Sequence, residues 1–423
     1  MATENAKAIF DRLASPFARC FNSRFAGWGQ GEKILFLMLA LNLAYSIWVC
    51  LVYFLNNFAR SYQGGELLIS WQGGLLRRGL IGSVLSLLAD WPYMPEATVL
   101  FMSAAYAACL IGGGKILFAL AERPWAILLL GAPAMLPFFC YKTGVLKKDI
   151  FFIAAVCGMM AVAAARRKKG WGMGRACALM SLLFALSLLI HELTLMFLGF
   201  PLALALVASP TAREKWRALA FFAILAAAGA LFVFVFSGTP EQREIIIEFW
   251  RARFPDLNAS AIEAIGYGLT DREAHHYIFP YLANPSLRAS VAKAAILAAL
   301  PLAGFWRSHA VNRRAASLAG AKAALFFWAQ AIVALLAVAL IMNDAGRIIS
   351  FFSIFIAAFG LAVIWLSDSD PSLIKGPSLN LDNRAVFVLA CAYLFCWKVE
   401  SWVPLSSKTW LSLQYWQSTL LGG

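Results

Sequence analysis

A small set of ionisable residues stands beside long apolar runs, where charge is costly and usually functional. The cations are Arg77, Arg78, Lys142, Lys147, Lys148 and Arg347. Their natural chemistry is anion binding. Arginine offers a planar fork of donors that fits phosphate oxygens two at a time, and lysine offers a compact point charge. The groups able to move a proton are Glu66, Asp149, His191, Glu192 and Asp344. A carboxylate held partly out of water has its proton affinity raised toward neutral pH, which suits a general base. His191-Glu192 is flanked by apolar residues on both sides, so a buried pair there needs partners from elsewhere in the fold. Asp149 directly follows Lys147-Lys148 and is either their counter-ion or part of the same site. Asp344 and Arg347 fall three apart in Asn343-Asp344-Ala345-Gly346-Arg347, and either pair with each other or serve a site.

The apolar runs must position these groups. The chain has 423 residues, 61% of them hydrophobic, and a mean hydropathy of +0.73. Apolar runs recur from end to end between short polar connectors, which is the pattern of an all-α polytopic integral membrane protein. The expected spans number about eleven, near 34–55, 97–120, 125–140, 150–165, 176–190, 193–208, 218–236, 291–306, 323–342, 348–366 and 385–403. Residues 1–33 form a basic head, 34–403 the membrane domain and 404–423 an interfacial tail. Lys/Arg-rich connectors at 166–169, 213–217 and 307–322 fall on the same side as that head. The positive-inside tendency makes that side cytoplasmic. A multi-pass inner-membrane protein with a cytoplasmic N-terminus is therefore expected, and the six cations above fall on the other face.

Three outer segments are longer than a turn requires, the third being the Trp- and Tyr-rich tail after Trp402. The first, 56–96, holds Trp71-Gln72-Gly73-Gly74-Leu75-Leu76-Arg77-Arg78-Gly79 and then an apolar stretch, 80–88, too short to cross a bilayer. It reads as an interfacial or re-entrant helix. The second, 237–290, carries three capping-box patterns, Thr239-x-x-Gln242, Ser260-x-x-Glu263 and Thr270-x-x-Glu273. Pro240 follows the first cap where proline is favoured. A small helical lid is expected there, with Ile245, Ile246, Phe249, Trp250 and Phe254 on its apolar side.

Other readings are disfavoured. The formal charge of +14 is accounted for mostly by the connectors and head, so nucleic acid is not an expected partner. The eight cysteines lie almost entirely in apolar runs without a CxxC pair, so neither a disulfide framework nor a metal site is expected. Gly112-Gly113-Gly114-Lys115 lacks the spacing of a phosphate loop.

In layout the chain resembles the GT-C superfamily of membrane glycosyltransferases. The segment Gly73-Gly74-Leu75-Leu76-Arg77-Arg78-Gly79-Leu80-Ile81-Gly82, with Lys147-Lys148-Asp149 and His191-Glu192, is similar to elements of O-antigen-polymerase-type proteins of bacterial surface-polysaccharide assembly. The resemblance implies a polyprenyl-(pyro)phosphate-linked sugar donor and an acceptor as partners, in contact with membrane lipids and polysaccharide-assembly proteins. It implies phosphate contacts from Arg77, Arg78 and Arg347, supported by Lys147, Lys148 and Asp149. The proton would go to Glu192 or His191, then Asp344, then Glu66. The first outer loop offers only Glu66 and Asp90 and no paired acid, which departs from the superfamily and favours a mechanism with neither metal nor cofactor. The alternatives are a transporter or flippase of a lipid-linked or anionic solute, a membrane acyltransferase, and a non-catalytic assembly subunit. Transport would call for polar groups along the whole path, and the inward-facing runs carry little beyond Lys115 and Gln330.

Overall fold

The computed structural model describes residues 27–76, 78–132, 147–263, 265, 285–320, 328, 345–367 and 379–395. Among them every regular element is helical. Helix α1 is Gln30–Asn57, α2 Tyr62–Leu67, α3 Leu80–Ser86, α4 Met94–Leu120 and α5 Arg123–Gly131. Helices α6, Asp149–Lys168, and α7, Met173–Ile190, form an antiparallel pair. A 3-10 turn at Glu192–Phe197 leads to α8, Gly199–Ala208, and α9, Ala212–Val235. The lid comprises α10, Pro240–Arg251, and α11, Ser260–Glu263. Then follow α12, Pro285–Ser308, α13, Val311–Ala319, α14, Ala345–Leu366, and α15, Arg384–Phe395.

Among the described residues five helices are long and apolar enough to cross a membrane: α4, α6, α7, α9 and the Ile349–Leu366 part of α14. Length sets this limit, because about 20 residues at ~1.5 Å rise match a hydrocarbon core of ~30 Å. Helix α14 is the hub. It packs on α4, α6, α8, α12 and α13, and 89% of its span is buried. Its aromatic side chains supply much of that contact. Phe355 stacks on Phe197 at 4.4 Å and meets Phe152 and Phe200 edge-on at 4.9 Å.

The eleven expected spans resolve more coarsely. The run at 193–208 is a 3-10 turn followed by a helix of ten residues. The break is local in origin. His191 is extended (φ −157, ψ 125), and the Thr194 hydroxyl donates to the Ser187 carbonyl at 3.1 Å, which satisfies an end of α7. The run at 125–140 begins as α5 and is described to Ala132. The run at 323–342, apart from Trp328, lies outside the described residues, as do the end of the last run and the 404–423 tail.

The helix ends sort into two sets. At one end Arg123 donates to the Gly27 carbonyl, and Gly31 N–H donates to Asp382 at 2.8 Å. Arg166 pairs with Glu214 at 2.6 Å, and Arg314 donates to Ser367 at 2.8 Å. At the other end lie the first loop and the lid. The 80–88 stretch folds as α3, as expected of a helix too short to span. The lid begins with the expected capping box: Gln242 N–H donates to the Thr239 hydroxyl at 3.3 Å and Thr239 N–H donates to Gln242 at 3.0 Å. Its core is Ile246, Ile247 and Trp250, whereas Ile245 is exposed. The second capping pattern is a helix start in which Asn258 is the acceptor, taking Ser260 N–H at 3.1 Å. The third, at Thr270, lies outside the described residues.

Close backbone approach fixes the first loop. A Cβ at Gly82 would overlap the Ile69 carbonyl, and one at Gly65 would overlap the Asn258 carbonyl of the lid. Gly82→Ala should therefore lower stability by about 2 kcal/mol or more, since backbone must shift. Gly174→Ala, where a Cβ meets nothing within 4 Å, should not lower it. Thermal unfolding of the detergent-solubilised protein, followed by tryptophan fluorescence, checks both.

Candidate functional site

Three separate stretches of chain deliver their ionisable groups to one buried point. The first is α2. Ser61 caps it by accepting Gly64 N–H at 3.0 Å, and the turn buries Glu66 with Leu67 and Leu68. The second is the start of α6. Lys148 is its N-cap residue, and the Tyr106 hydroxyl from α4 donates to the Lys147 carbonyl at 2.9 Å. The third is the end of α7, where His191 N–H donates to Ser187 at 2.8 Å as the chain turns extended. Because α6 and α7 are antiparallel, the beginning of one lies beside the end of the other.

Lys148 Nζ lies 3.9 Å from Glu66 Oε1 and 3.5 Å from the Glu66 carbonyl oxygen. His191 Nε2 lies 3.7 Å from the same carboxylate oxygen. Their side chains are 1%, 6% and 6% exposed for Lys148, Glu66 and His191. The carboxylate separations suit ion pairing and exceed ordinary hydrogen-bond lengths. At 4 Å a charge pair interacts by about 1 kcal/mol in water and about 4 kcal/mol at an effective dielectric of 20, so burial makes this cluster strongly coupled. Asp149 is buried too. It occupies the first turn of α6, where a carboxylate complements the helix N-terminus. Lys148 pairs with Glu66, so the counter-ion role open to Asp149 is filled at least in part by a residue 82 positions earlier.

Below the cluster the floor is aromatic. Phe152, one turn into α6, meets Phe197 at 5.5 Å and Phe351 at 5.0 Å. Above it lies the lid. Helix α11 packs on α2, and Asn258 N–H donates to the Ala59 carbonyl at 2.8 Å. Arg60 pairs with Asp256 at 2.6 Å and Arg253 with Asp90 at 2.9 Å.

The expected site residues therefore divide. Glu66, Lys148, Asp149 and His191 are buried at one end of the bundle, with Lys148 and His191 both on Glu66. Arg78 and Lys147 are half-buried at that end. Arg78 is held in the left-handed region, φ 69, immediately before α3. That conformation costs a non-glycine residue about 1–2 kcal/mol and recurs where function constrains the backbone. Arg347 lies in the first turn of α14, one turn before Phe351, which brings its backbone to the same end. The side chains of Glu192 and Arg347, and the whole of Arg77, Lys142 and Asp344, lie outside the described residues. Among the described residues no group of three or more His, Cys, Asp or Glu side chains is arranged to hold a metal ion.

Two features escaped the sequence reading. Glu66 is the acid on which both nitrogen groups converge, although it ranked last among the candidates. The 307–322 connector contains α13, and its Arg314 is buried. Helical spacing could have shown this, because Val311, Arg314, Ala315 and Leu318 share one face. Beside Arg314, His309 Nδ1–H donates to the Phe305 carbonyl and its Nε2 accepts Glu122 N–H, both at 3.0 Å. Burial holds this imidazole below its usual range, with a smaller opposing push from the Phe305 bond and a further lowering by Arg314. No protein-family profile, curated protein or solved structure matches the chain.

Lys148→Met should destabilise the protein by about 3–5 kcal/mol by leaving Glu66 charged and uncompensated. Adding Glu66→Gln should restore most of that loss. A thermal double-mutant cycle measures it. His309 makes a separate prediction. Its folded pKa lies below the unfolded value of 6.5, so the unfolded chain takes up its proton first as pH falls. Stability should be full above about pH 6.5 and decline below it until the folded imidazole also titrates. Melting curves across pH, with His309→Phe lacking this component, check the sign.

Proposed function

We propose that this chain is a membrane-embedded transferase that moves a sugar from a polyprenyl phosphate or pyrophosphate carrier to a hydroxyl acceptor. The observation that supports it best is the Lys148–Glu66–His191 cluster, which lies at the end of the bundle away from the basic connectors. By the positive-inside tendency Arg166–Lys169, Arg213–Arg217 and Arg307–Arg314 would mark the cytoplasmic face, and the cluster would face outward.

Glycosyl transfer needs a base for the attacking hydroxyl and cations for the leaving phosphate. Glu66 is the candidate general base. His191 positions its carboxylate and shares the proton. Lys148 lies within reach to neutralise a leaving phosphate, with Arg78, Lys147 and the backbone of Arg347 at the same end. The cluster is closed in this structure, so a donor would reach it after the lid swings away from α2. The Arg60–Asp256 and Arg253–Asp90 pairs are the contacts that motion breaks. The resemblance to O-antigen polymerases points the same way. It makes a growing surface polysaccharide the acceptor and a bacterial inner membrane the location.

A second reading has one specific observation in its favour. The 3.7 Å approach of His191 Nε2 to Glu66 is also the pairing of an acyl-transfer base with its orienting acid. Product mass separates the two. The purified full chain in nanodiscs, given a polyprenyl-pyrophosphate oligosaccharide, should yield a longer or newly glycosylated product and free carrier pyrophosphate. Product gaining only an acyl mass from an acyl donor would move the assignment to acyl transfer. Glu66→Gln should reduce glycan transfer by about 10²–10⁴-fold, the usual worth of a positioned base, while the exposed Glu96→Gln should not. Undiminished transfer by Glu66→Gln would refute the role of Glu66.

A further inference from the structure

Where α12, α13 and α14 meet, at the end of the bundle that carries the basic connectors, there is a cavity of about 530 Å³. That volume falls within the range of ligand pockets. The two ends of the cavity differ in chemistry. Ala299 and Ala303 of α12 and Ile356 of α14 make one end apolar, and Arg307 and Arg313 make the other cationic. Ala299, Ala303 and Arg307 follow one another at four-residue steps along one face of α12. The apolar end therefore begins about 12 Å along the helix from the Arg307 backbone. Trp306 and Trp328 also line the cavity, their rings 4.7 Å apart. Indoles of this kind collect where hydrocarbon meets water.

Other arginines at this end have partners. Arg166 pairs with Glu214, and Arg314 donates to Ser367. Arg307 and Arg313 are exposed, and among the described residues neither guanidinium makes a hydrogen bond or an ion pair. No acid stands among the described residues that line the cavity. Asn312 lines it too. Its side-chain oxygen accepts the Trp328 indole N–H at 3.2 Å, which leaves its amide nitrogen to donate. The start of α13 adds a smaller preference for negative charge, because Ala310 gives it no side-chain cap.

We propose that this cavity binds an anionic glycerophospholipid of the cytoplasmic leaflet, with its phosphate at Arg307 and Arg313 and the upper part of an acyl chain along Ala303 and Ala299. Two guanidinium forks with no acid beside them select an anion, and phosphate oxygens fit such forks two at a time. The apolar end belongs to the same cavity, so it selects an anion that carries a hydrocarbon chain. Basic pockets between membrane helices on the cytoplasmic side commonly take lipid headgroups. This lipid is distinct from the proposed sugar donor. Lys148 stands where α6 starts, and the cavity lies at the end of the bundle where α6 finishes.

Native mass spectrometry of the full chain in neutral detergent, titrated with phosphatidylglycerol, tests the site. One saturable site should bind phosphatidylglycerol at least tenfold more tightly than phosphatidylcholine. Arg307→Gln combined with Arg313→Gln should weaken it about thirtyfold. The lipid-free melting temperature should stay unchanged, because both side chains are exposed and unpaired among the described residues. Ala303→Trp, which fills the apolar end, should weaken binding as well. Lys168→Gln combined with Lys169→Gln removes the same charge from the same end, outside the cavity lining, and should leave the affinity as it was. Affinity that survives loss of both arginines, or that falls equally with the lysine pair, would overturn the site. Glycerol 3-phosphate binding as tightly as phosphatidylglycerol would overturn the lipid as occupant. The measurement uses no sugar donor, so its outcome is independent of the transfer reading.

Discussion

A carboxylate cannot stay buried and charged without a cation at hand, and Glu66 meets this constraint with Lys148, while the His191 imidazole stands beside the same carboxylate oxygen. The desolvation cost of a buried ion is several kcal/mol, and the attraction between Lys148 and Glu66 offsets it only if both are held in place. That requirement reaches outward. Lys148 is fixed by the start of α6 and by Tyr106 on α4. His191 is fixed by the end of α7 and by the turn through Thr194. Glu66 is fixed by a six-residue helix that cannot be stable by itself and depends on the lid packed over it. The lid opening proposed above would therefore free the acid of the cluster first, because the two nitrogen groups stand at the ends of long helices.

The two ends of the bundle solve burial differently. Around Glu66 the groups are charged and coupled, and their separations of 3.7–3.9 Å leave room to tighten on a ligand. Around His309 the hydrogen bonds are short and complete, and a single tautomer satisfies both ring nitrogens. The first arrangement can change partners. The second joins α12 to the α4–α5 connection and suits a fixed seam.

Much of this architecture is legible from residue patterns, and the limits have physical causes. Helices α4, α6, α7 and α9 follow from apolar length alone, and the lid's first helix follows from Thr239, Pro240 and Gln242. Local capping chemistry needs no tertiary context, so it reads directly. The run after His191 misleads for the opposite reason. Its composition is that of a span, but one extended residue and one side-chain hydrogen bond divide it. Glu66 was hard to rank because nothing near it in sequence explains its burial. Its partners lie 82 and 125 positions later in the chain. Lys148, Asp149 and His191 stood out because each interrupts an apolar run.

The aromatic floor explains why the polar groups stop where they do. Phe152, Phe197, Phe351 and Phe355 form a continuous set of ring contacts between 4.4 and 5.6 Å. Such rings fill space and offer no hydrogen-bond partner along the bundle axis. A hydrated path running inward from the cluster beside Phe152 would have to break this set, which α14 anchors with Phe351 and Phe355. Among the described residues these rings bound the polar cluster on its inner side.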